Sequence, residues 1–391
     1  MRFPKHFPAW PLAGLLALAA AFPAAAGQTL LTPSVGVRAT WDDSTLGKDE
    51  GDGELALSPA LTLDWRDETT RALLKTRLDA YRYVEHDADY ARENARVSLD
   101  LDHALSERLG VRLGGSWVRD HTVEDEYEES GIVTEQVARN TWTASPGLTL
   151  RLSERDDLDL DGSFTLVDPE PSAEIDYTVA GGTAAWSHAL GDGLWRLIVQ
   201  AGGQVYDFDR TDGDTKQTVL TLLAGLAWRA TERLEFQAMG GFSHTSSEVT
   251  FDDIPQLDSD EDNLTFSGSV SGTWTDQVWR LTLAADRSES PSTYGELITR
   301  DRLRFTFGRN LSERTFLGVN GAFYISKTAG LVEDEDTRTW SLGPTLRHRL
   351  TEDVTLDAGY SFIREDDRQS GETTDRNRAY LGVTVEWPCE W

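Results

Sequence analysis

Apolar and polar residues alternate strictly along most of this chain. In "LTFSGSVSGTW" (Leu264–Trp274), apolar or glycine residues alternate with five serine or threonine residues. "ELALSPALTLDW" (Glu54–Trp65) and "NRAYLGVTVEW" (Asn377–Trp387) follow the same rule. Because successive side chains of a β-strand point to opposite faces, a period of two predicts strands with one apolar and one polar face. No helical periodicity is found after residue 26, so the sequence predicts an all-β chain.

The first 26 residues have the pattern of a signal peptide. Arg2 and Lys5 supply a charged start, and the apolar run Pro11–Phe22 is too short to span a membrane comfortably. Three alanines, Ala24–Ala26, match a cleavage site. We therefore predict a signal peptide over residues 1–26 and a mature chain that begins near Gly27, in a periplasm or beyond.

The remaining sequence divides into roughly 18 alternating segments joined by two kinds of connection. Several short turns share a motif. "LSER" occurs at Leu105–Arg108, Leu152–Arg155 and Leu311–Arg314, with the variants "ATER" at Ala230–Arg233 and "LTED" at Leu350–Asp353. We interpret the motif as a turn rather than an active-site fragment, because a serine or threonine hydroxyl satisfies local backbone groups while the charges stay in water. The predicted strands are residues 34–42, 53–66, 69–83, 92–104, 109–119, 134–151, 156–167, 176–188, 193–207, 215–229, 232–245, 261–274, 277–287, 298–310, 314–326, 336–349, 353–364 and 375–387.

The order of the connections is typical of one architecture. Nine longer polar connections alternate with eight short turns along the predicted hairpins. Bacterial outer-membrane barrels have an even number of strands, short periplasmic turns and longer extracellular loops. We therefore predict a single domain over residues 27–391: an all-β, antiparallel, up-and-down transmembrane barrel with long acidic extracellular loops. A soluble all-β fold also alternates and is the alternative.

The tryptophan positions favour the membrane interpretation. Near the predicted short turns, mostly on the apolar phase, lie Trp65, Trp186, Trp195, Trp228, Trp274, Trp279 and Trp387. Tryptophan is enriched at membrane–water interfaces, whereas a soluble sheet has no reason to place it beside every second turn. The apolar phase of the last strand continues through Cys389 to Trp391, which resembles the C-terminal signal for the barrel assembly machinery. The predicted location is the bacterial outer membrane, in contact with its lipid and lipopolysaccharide.

Composition argues against several other classes of function. A net charge of −30 argues against nucleic acid as a partner, since phosphate binding needs a basic face. The 13 Trp, 14 Phe and 10 Tyr argue against a disordered chain, and the single Cys389 excludes internal disulfides. Neither G-x-S-x-G nor H-E-x-x-H occurs, and no paired metal-ligand spacing is found. We therefore predict no enzyme activity, no cofactor and no metal site.

Several segments are locally basic on the polar phase, which a barrel turns toward its lumen. The candidate selectivity residues are Arg71, Lys75 and Arg77 in strand 69–83, Arg300, Arg302 and Arg304 in strand 298–310, and Arg347 in strand 336–349. In an open lumen they form a track for anionic or polyhydroxylated cargo, because charged rings set selectivity in channels. If they pair with inward-facing acids such as Asp100 and Asp159, they brace the wall instead. The sequence leaves both interpretations open.

From about Thr282 to Trp387 the sequence resembles a known family. The stretches that carry the resemblance are "LAADRSESPSTYGELITRDRLRFTFGRNLSERTFLGVNGAFY", "WSLGPTLRHRLTEDVTLDAGYSFIRED" and "RAYLGVTVEW". They resemble the outer-membrane β-barrel porins found beside exosortase and exopolysaccharide gene clusters. The resemblance implies a pore for polysaccharide export through the outer membrane, working with periplasmic polysaccharide-export components. Its motifs specify the barrel more than the cargo, and they carry over no substrate-site residue.

Two other functions are compatible with the same sequence. An 18-strand closure leaves a lumen wider than side chains fill, comparable to the channels of porins. A general or substrate-specific diffusion porin for small solutes would use such a lumen. A structural barrel that sheathes another protein would use it as well.

Overall fold

The computed structural model describes residues 27–43, 51–84, 92–121, 138–169, 176–210, 213–251, 259–291, 297–327 and 336–390. The predicted signal peptide and Trp391 lie outside these residues. Within the described ranges, no helix has the length and apolarity that a membrane crossing requires.

Eighteen long strands and one two-residue strand form a single antiparallel sheet that closes on itself. The strands are β1 (Gln28–Asp42), β2 (Asp52–Arg66), β3 (Thr70–Tyr83), β4 (Arg92–Ser106), β5 (Leu109–His121), β6 (Ala138–Arg151), β7 (Asp156–Pro169), β8 (Asp176–Leu190), β9 (Trp195–Arg210), β10 (Gly213–Arg229), β11 (Leu234–Phe251), β12 (Ser259–Thr275), β13 (Trp279–Pro291), β14 (Leu297–Asn310), β15 (Thr315–Lys327), β16 (Asp336–Arg349), β17 (Val354–Asp367), β18 (Thr373–Glu386) and β19 (Cys389–Glu390). Each long strand pairs with its neighbours in sequence, and β18 pairs with β1 to close the barrel. The predicted all-β, up-and-down, 18-strand architecture is confirmed.

The closing seam keeps one register across a proline. Beyond Pro388, β19 rejoins β1 with Leu31 opposite Cys389, in the same register as the β1–β18 pairing. Between the two strands, the backbone N–H of Trp387 donates to the carbonyl oxygen of Pro33 at 2.9 Å. The proline therefore interrupts the ladder without a register slip, and Trp387 and Cys389 stay on the outward phase of the last strand.

The five LSER-type motifs are turns at one end of the barrel. Each lies between an even-numbered strand and the following odd-numbered strand. In the β6–β7 turn, the hydroxyl of Ser153 accepts the backbone N–H groups of Arg155 and Asp156, both at 3.1 Å. Ser312 and Thr351 accept two amides each in the same way. The hydroxyl satisfies amides that a sharp turn removes from the ladder, so the motif is structural.

The β2–β3 turn uses a carboxylate for the same purpose. The backbone N–H groups of Thr69 and Thr70 donate to Asp67 Oδ1 at 2.7 and 2.6 Å. These hydrogen bonds to the charged form, the one from Thr69 first, lower the pKa of Asp67. The carboxylate therefore stays ionised, and able to hold the turn, to lower pH than an unperturbed aspartate.

Two connections that the sequence predicts to be long are short. Residues 211–212 alone join β9 to β10, and residues 368–372 join β17 to β18, where Gly371 turns the chain at a φ of 74°. Strands β9 to β12 are 16 to 18 residues long and continue past their predicted limits. The prediction stops where apolar alternation fades. Backbone pairing continues there, as in Ser247 opposite Glu261, because side chains that leave the membrane no longer need an apolar face.

The seam between β12 and β13 has the shortest ladder among the described long strands. Their pairing ends at Gly268 opposite Arg287. Beyond that point, residues 259–267 of β12 pair with β11, and residues 288–291 of β13 pair with β14. The two strands therefore diverge toward the long-loop end and leave a notch in the ladder, which a hydrogen bond from Thr245 Oγ1 of β11 to the carboxylate of Glu289 of β13 bridges.

We expect the amides along this notch to exchange with solvent before those of neighbouring strands. An amide with no ladder partner is released by small local openings, whereas a paired amide needs strand separation. In hydrogen–deuterium exchange of the folded barrel in detergent, residues 263–267 should exchange about tenfold faster or more than residues 243–247. The latter segment is the matched control, since β11 pairs there on both sides at a similar height. Equal protection of the two segments would contradict the notch.

Candidate functional site: the barrel lumen

The register distinguishes the lipid-facing residues from the lumen-facing ones. On β10, Leu220, Leu222 and Leu226 point outward and are 55%, 61% and 42% exposed. Thr221 and Leu223 lie on the opposite face of the same strand. Because residues paired across an antiparallel ladder share a face, the register carries this assignment around the closed barrel.

A lower aromatic girdle surrounds the short-turn end. Trp195 stacks on Trp228 with ring centroids 5.1 Å apart, and Trp274 lies 5.4 Å from Trp279. All seven tryptophans that the sequence places near short turns lie on the outward phase here. Trp65 differs in being 7% exposed, since Gly27 lies against its indole. The girdle residues are Trp65, Trp186, Trp195, Trp228, Trp274, Trp279 and Trp387.

An upper aromatic girdle, which the sequence analysis missed, lies toward the long loops. Phe323 and Trp340 have ring centroids 4.1 Å apart, and Phe242 meets Phe266 edge-on at 6.3 Å. Trp142 also points outward at this level. These rings are far from the turns and are mixed with phenylalanine, so the search for tryptophan beside turns did not find them. The lipid-facing residues between the girdles are apolar or glycine on nearly every strand. They span about ten residues per strand, or about 25 Å at the usual rise and tilt.

A closed 18-strand barrel with an apolar outer band between two aromatic girdles is a bacterial outer-membrane β-barrel. The fold and the outer surface define this class and the location in the outer membrane.

Its lumen wall has two sectors of different chemistry. Between the girdles, the inward residues of β8 to β12 carry no charge; we call this the hydroxyl sector. Its hydroxyl groups form a chain across three strands, with Thr221 Oγ1 2.9 Å from Ser243 Oγ and Ser243 Oγ 2.7 Å from Ser267 Oγ. The remaining strands, β13 to β18 and β1 to β7, form a charged sector, in which inward-facing Arg, Lys, Asp and Glu are frequent.

The seven predicted selectivity residues all lie on inward phases of the charged sector. Four of them pair with aspartate, which supports the bracing interpretation for these four. The pairs are Arg71–Asp64 at 3.5 Å, Arg77–Asp79 at 2.8 Å, Arg302–Asp286 at 2.8 Å and Arg304–Asp286 at 3.2 Å. A shared aspartate leaves the last two arginines with one net positive charge between them.

Lys75 and Arg347 differ from these four. Both are exposed to the lumen, and neither forms an ion pair with a carboxylate of the described residues. Asp357 lies opposite Arg347 in the ladder, but its carboxylate is 3.7 Å from the guanidinium of Arg38. Lys75 and Arg347 are therefore the two predicted residues whose charge is most available to an ion or a cargo.

Arg300 lies in a different environment, because the long-loop end of the lumen is closed to solvent. Its residue surface is 1% exposed, and Phe208 and Ile298 on the same inward phase are 0% exposed. Every fully buried large side chain faces inward at this end, whereas Arg71 and Arg304 nearer the short turns are about half exposed. The buried set is Arg300, Phe208, Ile298, Thr215, Thr339, Asp52 and Ser326. Arg300 is thus part of a filled region rather than of an open track.

The charged sector also contains a recess of about 460 Å³. It lies on β14 to β18, with Arg304 on one side and Tyr380 on the other. The ring of Tyr380 lies flat against Gly359, where an added Cβ would come within 2.4 Å of the ring, and the Arg38 guanidinium is 4.6 Å from the ring centroid. Sequence reasoning missed Tyr380 and Asn320, because residues from separate strands form the recess and no local motif marks them. The polar and aromatic lining includes Arg304, Asn320, Tyr324, Thr345, Arg378 and Tyr380.

The recess offers hydrogen-bond donors, acceptors and an aromatic surface, which suit a polyhydroxylated or anionic ligand. Across the described ranges, no three His, Cys, Asp or Glu side chains are grouped closely enough to hold a metal ion.

The solved structures to which the chain is similar, all at low sequence identity, include the following three. The ferric citrate transporter FecA in its unliganded form has a TM-score of 0.48 and 11% identity, over 86% of this chain and 60% of that one. The alcaligin outer-membrane receptor FauA from Bordetella pertussis has a TM-score of 0.47 and 9% identity, over 92% and 76% of the two chains. OccAB3 of Acinetobacter baumannii has a TM-score of 0.42 and 11% identity, over 92% and 99%. The chain thus spans about 60% of the length of FecA. No family model matches the chain, and no curated protein matches it.

Proposed function

We propose that the protein exports a polysaccharide across the outer membrane by passive translocation through its lumen, without catalysis. The observation that carries the proposal is the division of the lumen wall into a hydroxyl sector and a charged sector. A wall of hydroxyl and amide groups offers a glycan many weak, interchangeable hydrogen bonds. Conduction requires binding that is favourable enough for the cargo to enter the lumen and weak enough for it to leave. Such a wall satisfies both conditions.

Exposed cations at the open end of the lumen would attract the cargo. Lys75 and Arg347 lie there without carboxylate partners among the described residues. A positive potential in a low-dielectric cleft raises the local concentration of anions and speeds their entry. The proposed cargo is therefore an anionic or neutral glycan that enters from the short-turn, periplasmic end and passes the recess beside Arg304 and Tyr380.

The proposal includes three further components from the sequence. A signal peptide over residues 1–26 would direct export from the cytoplasm. Trp391 would serve as the signal for the barrel assembly machinery. Periplasmic polysaccharide-export components would deliver the glycan to the short-turn end.

A diffusion porin for small solutes is the second candidate, and one observation favours it. The long-loop end of the lumen is filled around Phe208 and Ile298, both 0% exposed. A small opening at this closed end is enough for a small solute but not for a polymer. Polysaccharide export therefore requires this end to open much wider during transport than diffusion of a small solute does.

Deletion of the gene separates the two candidates. For polysaccharide export we expect loss of the surface polysaccharide, normal uptake of small solutes, and recovery of the polysaccharide when the intact gene is restored. The measurements are surface polysaccharide by carbohydrate staining and the uptake rate of a radiolabelled sugar or amino acid. Intact polysaccharide together with slower uptake would contradict export and favour the porin.

A further inference from the structure

We infer that the recess on β14 to β18 is a binding site for an acidic sugar residue, in which Arg304 binds the carboxylate and uncharged side chains bind the ring hydroxyls. The inference rests on the proposed function, because it specifies the cargo as a glycan that carries carboxylates. It assigns one fixed binding site on the path of that cargo, in addition to the general attraction by exposed cations of the lumen.

The recess has a floor of small side chains between two rims of large ones. Across β15 to β17, the small inward residues of the lining are Ala322, Ser341, Gly343 and Ser361. Arg304 of β14 forms one rim, and Arg378 and Tyr380 of β18 form the other. The volume of about 460 Å³ lies within the usual range for a small-molecule site. The wall therefore contains a depression that a sugar ring can enter from the lumen.

Uncharged polar side chains of the recess have hydrogen-bonding groups to spare. The amide of Asn320 and the hydroxyls of Thr345 and Tyr380 form no hydrogen bond with any of the described residues. In the hydroxyl sector, by contrast, the hydroxyl of Ser243 bonds to hydroxyls on both neighbouring strands. Hydroxyls that bond to one another are already satisfied, whereas converging groups without partners are available to the hydroxyls of a sugar.

The excess positive charge of the recess lies at Arg304. Its side chain is 50% exposed and shares Asp286 with Arg302, so the three residues carry one net positive charge. The two other arginines of the lining have carboxylate partners, in the pairs Arg376–Asp42 and Arg378–Glu54. None of the described residues that line the recess is Asp or Glu. A carboxylate on a sugar would accept charge-assisted hydrogen bonds from the guanidinium donors that Asp286 leaves unused.

A second recess, on β3 to β7, has the opposite balance of charge. Its volume is about 420 Å³, and the charged residues of its lining are Arg71, Arg112, Asp100, Asp102 and Asp161. The environment of Arg71 otherwise resembles that of Arg304. The two side chains are 49% and 50% exposed, and they lie 3.5 and 3.2 Å from an aspartate. Because three carboxylates of the second recess repel an acidic sugar, Arg71 provides a matched control.

The test measures binding of a trisaccharide of galacturonic acid to the purified barrel in detergent micelles, by isothermal titration calorimetry. The second probe is the same trisaccharide with its carboxylates reduced to alcohols. We expect the acidic probe to bind, and the reduced probe to bind about tenfold more weakly or not at all. Arg304→Gln should weaken binding of the acidic probe by about tenfold or more, whereas Arg71→Gln should leave it unchanged. Asn320→Ala with Thr345→Val should also weaken it, because the sugar hydroxyls lose partners.

Any of four results would overturn the inference: no binding of the acidic probe, equal binding of the reduced probe, unchanged binding by Arg304→Gln, or an equal loss in Arg71→Gln. Slower migration after boiling on a gel verifies that each variant is folded. If Arg304→Gln does not fold, the comparison of the two probes on the wild type decides, because equal binding would contradict a site for a carboxylate.

Binding in micelles requires no transport, so the inference and the proposed function fail in different experiments. Absence of binding together with a surface polysaccharide that depends on the gene would overturn this inference and leave export standing. Binding of the acidic probe together with an unchanged surface polysaccharide in the deletion strain would contradict export and leave the sugar site standing.

Discussion

Replacing Leu222 by arginine is expected to destabilise the barrel by about 2–4 kcal/mol, the cost of a cation near the bilayer midplane. Leu222 is 61% exposed on the outward face of β10, so its side chain lies in hydrocarbon when the barrel is in a membrane. A soluble β-barrel would tolerate the same change, because an exposed arginine there would be hydrated.

The neighbouring residue provides the control. Leu223 lies on the other face of the same strand, toward the lumen, and Leu223→Arg should cost about 1 kcal/mol or less if the lumen contains water. The measurement is reversible unfolding in guanidinium chloride with lipid vesicles present, followed by tryptophan fluorescence. Equal effects at the two positions would contradict the assignment of faces.

Reversing the charge of the two available lumen cations is expected to change ion selectivity. Lys75→Glu with Arg347→Glu exchanges two positive for two negative charges on the open part of the wall. A change of one unit charge roughly 8 Å from an ion in water changes the energy of that ion by about 0.5 kcal/mol. Because the two substitutions change the wall by four unit charges, we expect at least about a tenfold change in the chloride-to-potassium permeability ratio. The sign is fixed: anion preference should fall.

The measurement is the reversal potential of the purified barrel in a planar bilayer under a salt gradient. Arg309→Glu with Arg314→Glu is the matched control, because it makes the same charge change near the short-turn end but outside the lumen. An unchanged reversal potential in the lumen variant would mean that Lys75 and Arg347 do not face the ion path.

The sequence specified the barrel because the two faces of each strand meet different media. Lipid on one side and a polar lumen on the other impose alternation, and turns such as Leu311–Arg314 mark where each hairpin reverses. Beyond the membrane, as at Ser247 opposite Glu261, neither face of a strand has to be apolar. The alternation that marks a strand in the sequence is therefore lost there. The long ends of β9 to β12 were missed for this reason.

The contacts between side chains in the lumen were harder to predict from the sequence than the barrel itself. Alternation placed Arg77, Arg302 and Arg347 on the polar phase of their strands, and the register turns that phase toward the lumen. Which of them is paired depends on the register between strands, and closure of the whole barrel sets that register. The same holds for the burial of Arg300 and for Tyr380 over Gly359, since each depends on side chains from other strands.

The most direct test of export through the lumen is release of a labelled polysaccharide from sealed vesicles containing the purified barrel. The glycan comes from the surface of the same bacterium, and a small fluorescent solute is enclosed with it. We predict that the barrel releases the glycan well above the rate of protein-free vesicles, and that Lys75→Glu with Arg347→Glu slows release if the glycan is anionic. Escape of the small solute while the glycan stays inside would contradict polysaccharide export and would identify the barrel as a diffusion porin.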